Sequence, residues 1–234
     1  MSLQKRIANY LRERIHRFVP IGFEPFAPVL LFEVYALLRH PFGLLAARKY
    51  RSSTHMKLHL GSGGNIKPGW LNVDLSPSAD LSIDLRRKFP LSDHCASVIY
   101  MEHFLEHLDY PEPATSFMRE CFRVLEPGGV LSIVVPDGEE MLRMYVTGVT
   151  PEYLAEQKKW HPAWATTQME YVNVSFRQDF DHRFMYDFET LKKLCESCGF
   201  VEIEPRRPDV AIDQEVRIVG SLYVQARKNK VATP

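Results

Sequence analysis

From residue 57 to residue 137 the chain switches repeatedly between short apolar runs and turn-forming residues. In KLHLGSGGNIKPGWLNVD (57–74) a glycine loop separates two strand-like runs, and LSIDL (81–85) and SVIYM (97–101) are two further runs of strand length. The period then changes. Ala114, Phe117, Met118, Cys121, Phe122 and Leu125 fall at helical spacing on one stripe, and Glu126-Pro127-Gly128-Gly129 predicts its end. VLSIVVPD (130–137) is almost wholly apolar and rich in β-branched residues, as a strand buried on both faces must be. Phe188, Leu191, Leu194, Cys195 and Cys198 predict another helix, closed by Gly199, and FVEIE (200–204) and SLYVQA (221–226) read as the last two strands. Strands alternating with helices predict an α/β fold around a mainly parallel sheet.

The glycine loop is the first place where this pattern implies chemistry. Gly61, Gly63 and Gly64 follow Leu58 and Leu60, so the backbone can turn sharply and a ligand can approach it closely. A dinucleotide fingerprint needs a third glycine where Ile66 stands, and its acid lies about 20 residues further on, whereas Asp74 comes only ten residues after Gly64. A P-loop is excluded because the loop lacks the Lys and Ser or Thr that grip phosphates. What remains is a ribose-binding loop with no pyrophosphate site. About nine residues separate Gly61 from Leu71, and Pro68-Gly69 interrupts them. A helical crossover needs at least about 10 to 12 residues, so the first helix is expected to be absent or a single turn.

LHLGSGG, PGWLNVD, EHFLEH and RVLEPGGVLSIVVPD, in this order over residues 57 to 137, resemble the class I S-adenosylmethionine-dependent methyltransferases, with a weaker echo in DHRFMYDFETLKKLCESCGF (181–200). The likeness is strongest to the type 11-like branch found beside glycosyltransferases in surface-polysaccharide gene clusters. It implies a doubly wound, Rossmann-like seven-stranded sheet with the last strand antiparallel, and S-adenosyl-L-methionine as cofactor. By the same resemblance Gly61 and Gly63 line the methionine end of the cofactor, Asp74 binds the ribose hydroxyls and Asp84 reads the adenine amine. Leu60, Leu75, Leu85, Glu102 and His103 complete its surroundings. Relatives often carry an Asp near the start of the fourth strand, where this chain has Ser97.

His103-Phe-Leu-Glu106-His107 also spells HxxEH, the inverted zinc-peptidase pattern, in which two histidines on one helix face ligate zinc and the glutamate acts as base. That motif belongs inside a long helix. Here it comes directly after a strand, and Asp109-Tyr110-Pro111 ends it within two turns. The segment is therefore expected at the carboxyl end of the fourth strand, where open α/β sheets bind ligands, and no residue is assigned to a metal. Methyl transfer from a sulfonium needs alignment above all, and a hydroxyl acceptor also gains from a base. His103 and His107 are the candidates for it, with Asp137 after the fifth strand and His182 behind them. Asp181-His182-Arg183 otherwise reads as an exposed, salt-bridged loop, and Glu106 with His107 as a pair orienting the turn. A zinc hydrolase and a catalytically silent partner in a glycan-assembly complex stand as rival readings.

Composition sets the outer bounds. A chain of 234 residues buries one main core, and the net charge of zero hides an asymmetry. Residues 1–55 hold nine Lys or Arg against three acids, and residues 56–234 hold twenty against twenty-six. Residues 1–55 are read as a basic amphipathic arm, in which IANYLRERIHRF and APVLLFEVYALL are broken by Pro20, Pro25, Pro28 and Pro41 into two or three short helices. Residues 56–234 are read as the methyltransferase domain. No apolar run reaches about 18 residues, because Glu24, Glu33 and Arg39 interrupt it, and no signal peptide fits. A cytoplasmic enzyme is expected, with the arm serving as a lid, a homodimer contact or a contact with the inner face of an anionic membrane. The acidic body argues against nucleic acid. An insertion at about 146–185 carries Tyr153, Trp160, Trp164, Tyr171, Phe176 and Phe180, suited to a sugar face or a small accessory core. Cys195-x-x-Cys198 is read as buried helix packing, with no redox or metal role.

Overall fold

The structure, a computed structural model, describes residues 26–178 and 181–230. The stretch IANYLRERIHRF and Phe180 lie outside the described residues. The described chain opens with helix α1 (Phe26–Ala46), continued by a 3-10 turn (Ala47–Tyr50). Strands β1 (Met56–Leu60), β2 (Leu71–Asp74), β3 (Leu81–Ser82) and β4 (Ala96–Glu102) come next, then a 3-10 turn (Leu105–His107), α2 (Glu112–Val124) and β5 (Leu125–Pro136). Helices α3 (Gly138–Thr147), α4 (Pro151–Lys158), α5 (Gln168–Arg177) and α6 (Phe188–Ser197) precede β6 (Phe200–Pro205) and β7 (Ser221–Lys228). The seven strands form one sheet in the order β3-β2-β1-β4-β5-β7-β6, parallel except for β7, which runs antiparallel to both neighbours.

Alternate side chains of each strand face opposite sides of this sheet. In β4, Ile99 and Met101 enter the main core with Phe117, Met118 and Cys121 of α2 and Leu191, Leu194 and Cys195 of α6. Tyr100 faces the other way and joins Val134 and Tyr223, covered by Trp70 and Ile212. The four cysteines are buried and free, so Cys195 and Cys198 pack as read from the sequence.

The link from β1 to β2 contains no helix. The amide of Asn72, buried in β2, organises it instead: its oxygen accepts from Lys67 N at 2.9 Å, and its nitrogen donates to the carbonyls of Lys67 and Trp70 and to Asp80. LSIDL is shorter as a strand than read, since β3 ends at Ser82 and leaves Asp84 in the turn beyond it.

The arm differs from the sequence reading. From residue 26 on, one helix of 21 residues runs through Pro41, where a break was expected, while Pro20 and Pro25 lie outside the described residues. Its inner side is tied to the β3 edge. Tyr35 donates to the Leu75 carbonyl at 3.2 Å, and a side chain at Gly43 would meet the Ser82 carbonyl at 2.0 Å. Glu33, read as an interruption, pairs with Arg86. The helical stretch Val29–Tyr50 is long and apolar enough, by length and composition, to cross a membrane, which corrects the count of apolar residues made on the sequence. Its outer side is apolar and exposed at Leu30, Leu37, Leu38, Phe42 and Leu45.

Candidate active site

The carboxyl ends of β1, β2, β4 and β5 bring most of the expected residues to one edge. Leu60 ends β1 fully buried, and the chain turns at Gly61, whose N–H donates to the Val73 carbonyl at 2.9 Å. Gly61 and Gly63 both adopt positive φ, a conformation that favours glycine. At Gly61 an added Cβ would lie 2.4 Å from the ring of Phe104, so glycine is needed for packing, whereas at Gly63 and Gly64 it would meet nothing within 4 Å. The loop is closed on its Phe104 side and open along Gly63-Gly64.

Asp74 at the end of β2 fastens this loop. Its carboxylate accepts from Gly63 N at 3.0 Å and from Ser76 N at 2.6 Å. Burial raises its pKa, and those two backbone donors and the nearby His107 oppose the rise. A carboxylate has about four acceptor sites, so Asp74 retains capacity for two hydroxyl donors beside an open stretch of backbone. Loop and acid together fit the ribose and methionine portion of S-adenosylmethionine. Leu75 is next in the chain, its carbonyl bound by Tyr35 and Ser82.

Asp84, expected to read the adenine amine, is tied to its own neighbours in the chain. It is 2% exposed, and its carboxylate accepts from the backbone N, Nε and Nη2 of Arg86, with Arg87 Nε at 3.6 Å. The Arg86 donors use three of its roughly four acceptor sites and hold its pKa below the usual carboxylate range against the effect of burial. Arg86 also reaches Glu33, so Asp84 helps to anchor α1. Leu85 beside it is core.

At the end of β4, Glu102 is 5% exposed and accepts both the backbone and side-chain N–H groups of Gln214, at 3.1 and 2.7 Å. His103 turns the chain with φ of 53° and places Nε2 2.9 Å from Ser221 Oγ and Nδ1 3.4 Å from Glu106 Oε1. Burial, and then Arg217, His182 and His107, hold His103 well below the usual histidine range, so the ring is neutral at neutral pH. His107 lies one turn on and donates from Nδ1 to the Asp181 carbonyl at 2.9 Å. The turn Leu105–His107 is three residues of 3-10 helix, which does not place His103 and His107 on one face of a long helix as an HxxEH zinc site requires.

Asp137 has a structural occupation, capping α3 by accepting from Glu140 N at 3.0 Å. His182, read as part of an exposed loop, has a buried side chain, 5% exposed, with Nε2 facing Glu106 Oε1 at 3.9 Å. Arg183 N and Phe184 N bind the Glu106 carbonyl, at 2.7 and 3.2 Å, and hold the 181–184 segment there. Sequence reasoning missed Phe104, Gln214, Arg217 and Ser221. The last three belong to the β6–β7 connection or lie just after it, and Arg206 fastens that connection through a bidentate pair with Asp213 at 2.6 Å. A surface groove of about 450 Å³, lined in part by His55, Lys57, Trp70 and Asp80, opens at the opposite edge, by the amino ends of β1 and β2, away from these groups.

Residues 72–133 match a family described as a methyltransferase domain. No curated protein matches the chain. Among solved structures, the methyltransferase-type protein bound to the Trm112 methyltransferase activator of Haloferax volcanii is 13% identical, covers 98% of this chain and 99% of its own, and superposes with a TM-score of 0.50. A SAM-dependent methyltransferase from Archaeoglobus fulgidus is 16% identical, covers 86% and 99%, and gives 0.46. These structural likenesses are likenesses of fold. The matched segment contains Asp74, Asp84, Glu102, His103, Glu106 and His107.

Proposed function

We propose that this protein moves the methyl group of S-adenosylmethionine to a hydroxyl of a sugar or lipid-linked glycan by direct displacement. The observation that carries the reading is the Gly63–Asp74 link, an open glycine backbone fastened to a carboxylate with acceptor sites to spare. When bound, the cofactor supplies an activated methyl group on a sulfonium, so alignment and water exclusion are the main tasks left to the protein.

Asp74 accepts the ribose hydroxyls, and the Gly61–Gly64 backbone lies along the methionine portion. His103 is the base: neutral at working pH, it takes the acceptor's proton at Nε2 as the new carbon–oxygen bond forms. Glu106, 3.4 Å from Nδ1, stabilises the resulting imidazolium. Glu102 and Gln214 brace the end of β4 that presents His103. The exposed rings of Trp160 and Trp164, 57% and 62% exposed, support a carbohydrate acceptor, because flat aromatic faces suit the apolar faces of sugars. The exposed apolar side of α1, with Arg48, Lys49 and Arg51 just beyond it, supports an acceptor held at the inner face of an anionic membrane. Such an enzyme works in the cytoplasm.

The test is transfer of isotope-labelled methyl from S-adenosylmethionine to a lipid-linked glycan extract. Label is expected in the glycan as an alkali-stable ether, and His103→Ala is expected to lower the rate by roughly 10²-fold or more while S-adenosylhomocysteine still binds. Binding of cofactor with no transfer to any glycan would instead favour a silent partner.

A further inference from the structure

Glu106 is fully buried, and neither oxygen of its carboxylate makes a hydrogen bond. A buried charge in this condition calls for a compensating group. Three imidazoles surround it without making a hydrogen bond: His103 Nδ1 at 3.4 Å, and His107 Nε2 and His182 Nε2 each at 3.9 Å from Oε1.

The two more distant rings share a further feature. His107 Nδ1 lies 2.9 Å from the Asp181 carbonyl oxygen and His182 Nδ1 2.6 Å from the Ser175 carbonyl oxygen. A carbonyl only accepts, so both Nδ1 atoms carry the proton. In each neutral ring the lone pair is then on Nε2, the atom turned toward Glu106. Fixing the tautomer through a carbonyl behind the ring is the arrangement that prepares histidine for a metal. The ligand atoms of Glu106, His107 and His182 lie within 4.8 Å of one another. An ion about 2.0 to 2.2 Å from each donor sets donors roughly 3.4 Å apart in a tetrahedron, a spacing reached by closing each 3.9 Å separation to Glu106 by about half an ångström and the imidazole–imidazole separation, at most 4.8 Å, by up to about 1.4 Å.

We propose that Glu106, His107 and His182 form a divalent transition-metal site at the carboxyl edge of the sheet. Two imidazoles and one carboxylate suit zinc, cobalt, iron or manganese and leave at least one coordination position for water or an acceptor oxygen. The site takes only Glu106 and His107 from the HxxEH segment. Its third ligand comes from His182, 75 residues beyond His107, and His103 is not among the three. The hydrogen bonds from Arg183 and Phe184 to the Glu106 carbonyl set the spacing of the ligands in advance. That an acceptor oxygen occupies the open position rests on the methyltransferase reading; the ion site does not.

The experiment is titration of the chelator-stripped full chain with Co²⁺, read by visible d–d absorption, with calorimetry of S-adenosylhomocysteine on the same samples. One ion per chain is expected, and His182→Asn and Glu106→Gln should each weaken it by more than roughly 100-fold, since losing even an outer partner of a ligand costs about 10- to 100-fold. X-ray absorption of the cobalt-loaded wild type should show two imidazoles, which keeps the test independent of how the variants fold. Absence of saturable binding by folded wild type, a cobalt shell with no imidazole, or unchanged affinity in correctly folded variants would overturn the site. Cobalt binding without S-adenosylhomocysteine binding would retain the site and refute the cofactor reading, and the reverse would refute the site alone.

Discussion

Asp74 at the end of β2 and Asp84 two residues beyond the end of the edge strand β3 occupy comparable places, and they differ in their neighbours along the chain. Asp74 precedes Leu75 and Ser76 and receives two backbone donors, whereas Asp84 precedes Leu85, Arg86 and Arg87 and receives three donors from Arg86. Availability of a carboxylate is thus decided by residues two or three positions away. A parallel case is His59 in β1, 1% exposed, which donates from Nδ1 to Asn72 Oδ1 at 3.1 Å. Burial, with Lys67 nearby, pushes its pKa down to about 4 despite the opposing hydrogen bond. An unfolded histidine titrates near 6.5. Between these values the unfolded chain binds the extra proton, so the stability from this site is complete above about pH 6.5 and is lost as pH falls toward 4. The loss is on the order of 3 kcal/mol. Urea midpoints at about pH 7.5 and 4.5, on either side of most of that window, should show it, and His59→Gln should lose measurably less over the same range; an equal loss would contradict the assignment. Gly61, Gly63 and Asp74 were legible because turn glycines and a strand-end acid sit close in sequence. The solitude of Glu106 was not, because it depends on residues 106, 107 and 182 meeting in space.

At the scale of elements, β4, β5 and α2 emerged from periodicity alone, since their burial is set by their own apolar stripes. Helix α1 did not. Pro41 and Glu33 read as breaks, yet Glu33 has a partner in Arg86 and the helix runs through Pro41, held on one side by the β3 edge. The opposite side leaves Leu38 63% and Phe42 73% exposed, which makes α1 the element that meets a membrane in the proposed function. Flotation with anionic vesicles should carry the full chain upward, and Leu38→Glu with Phe42→Glu should leave it in the aqueous layer with S-adenosylhomocysteine binding unchanged. Equal flotation of both proteins would exclude this face as the contact.

At the scale of the whole molecule, the strand order places β1 and β4 side by side, so the glycine loop and the His103–His107 turn emerge at one edge although about 40 residues separate them. The β6–β7 connection returns over the same edge, bringing Gln214 to Glu102 and Ser221 to His103. Its charged, proline-bearing sequence revealed only a loop, because the Arg206–Asp213 pair that shapes it has no local signature. All of this geometry serves the claim that Asp74 holds the cofactor's ribose, and the direct measurement is calorimetry with S-adenosylhomocysteine on wild type and Asp74→Ala. The wild type should bind, and the variant should lose about 1 to 3 kcal/mol, or roughly 5- to 150-fold in affinity, as expected for hydrogen bonds to a charged group. Equal affinity in the two proteins, or no binding by wild type, would contradict the account.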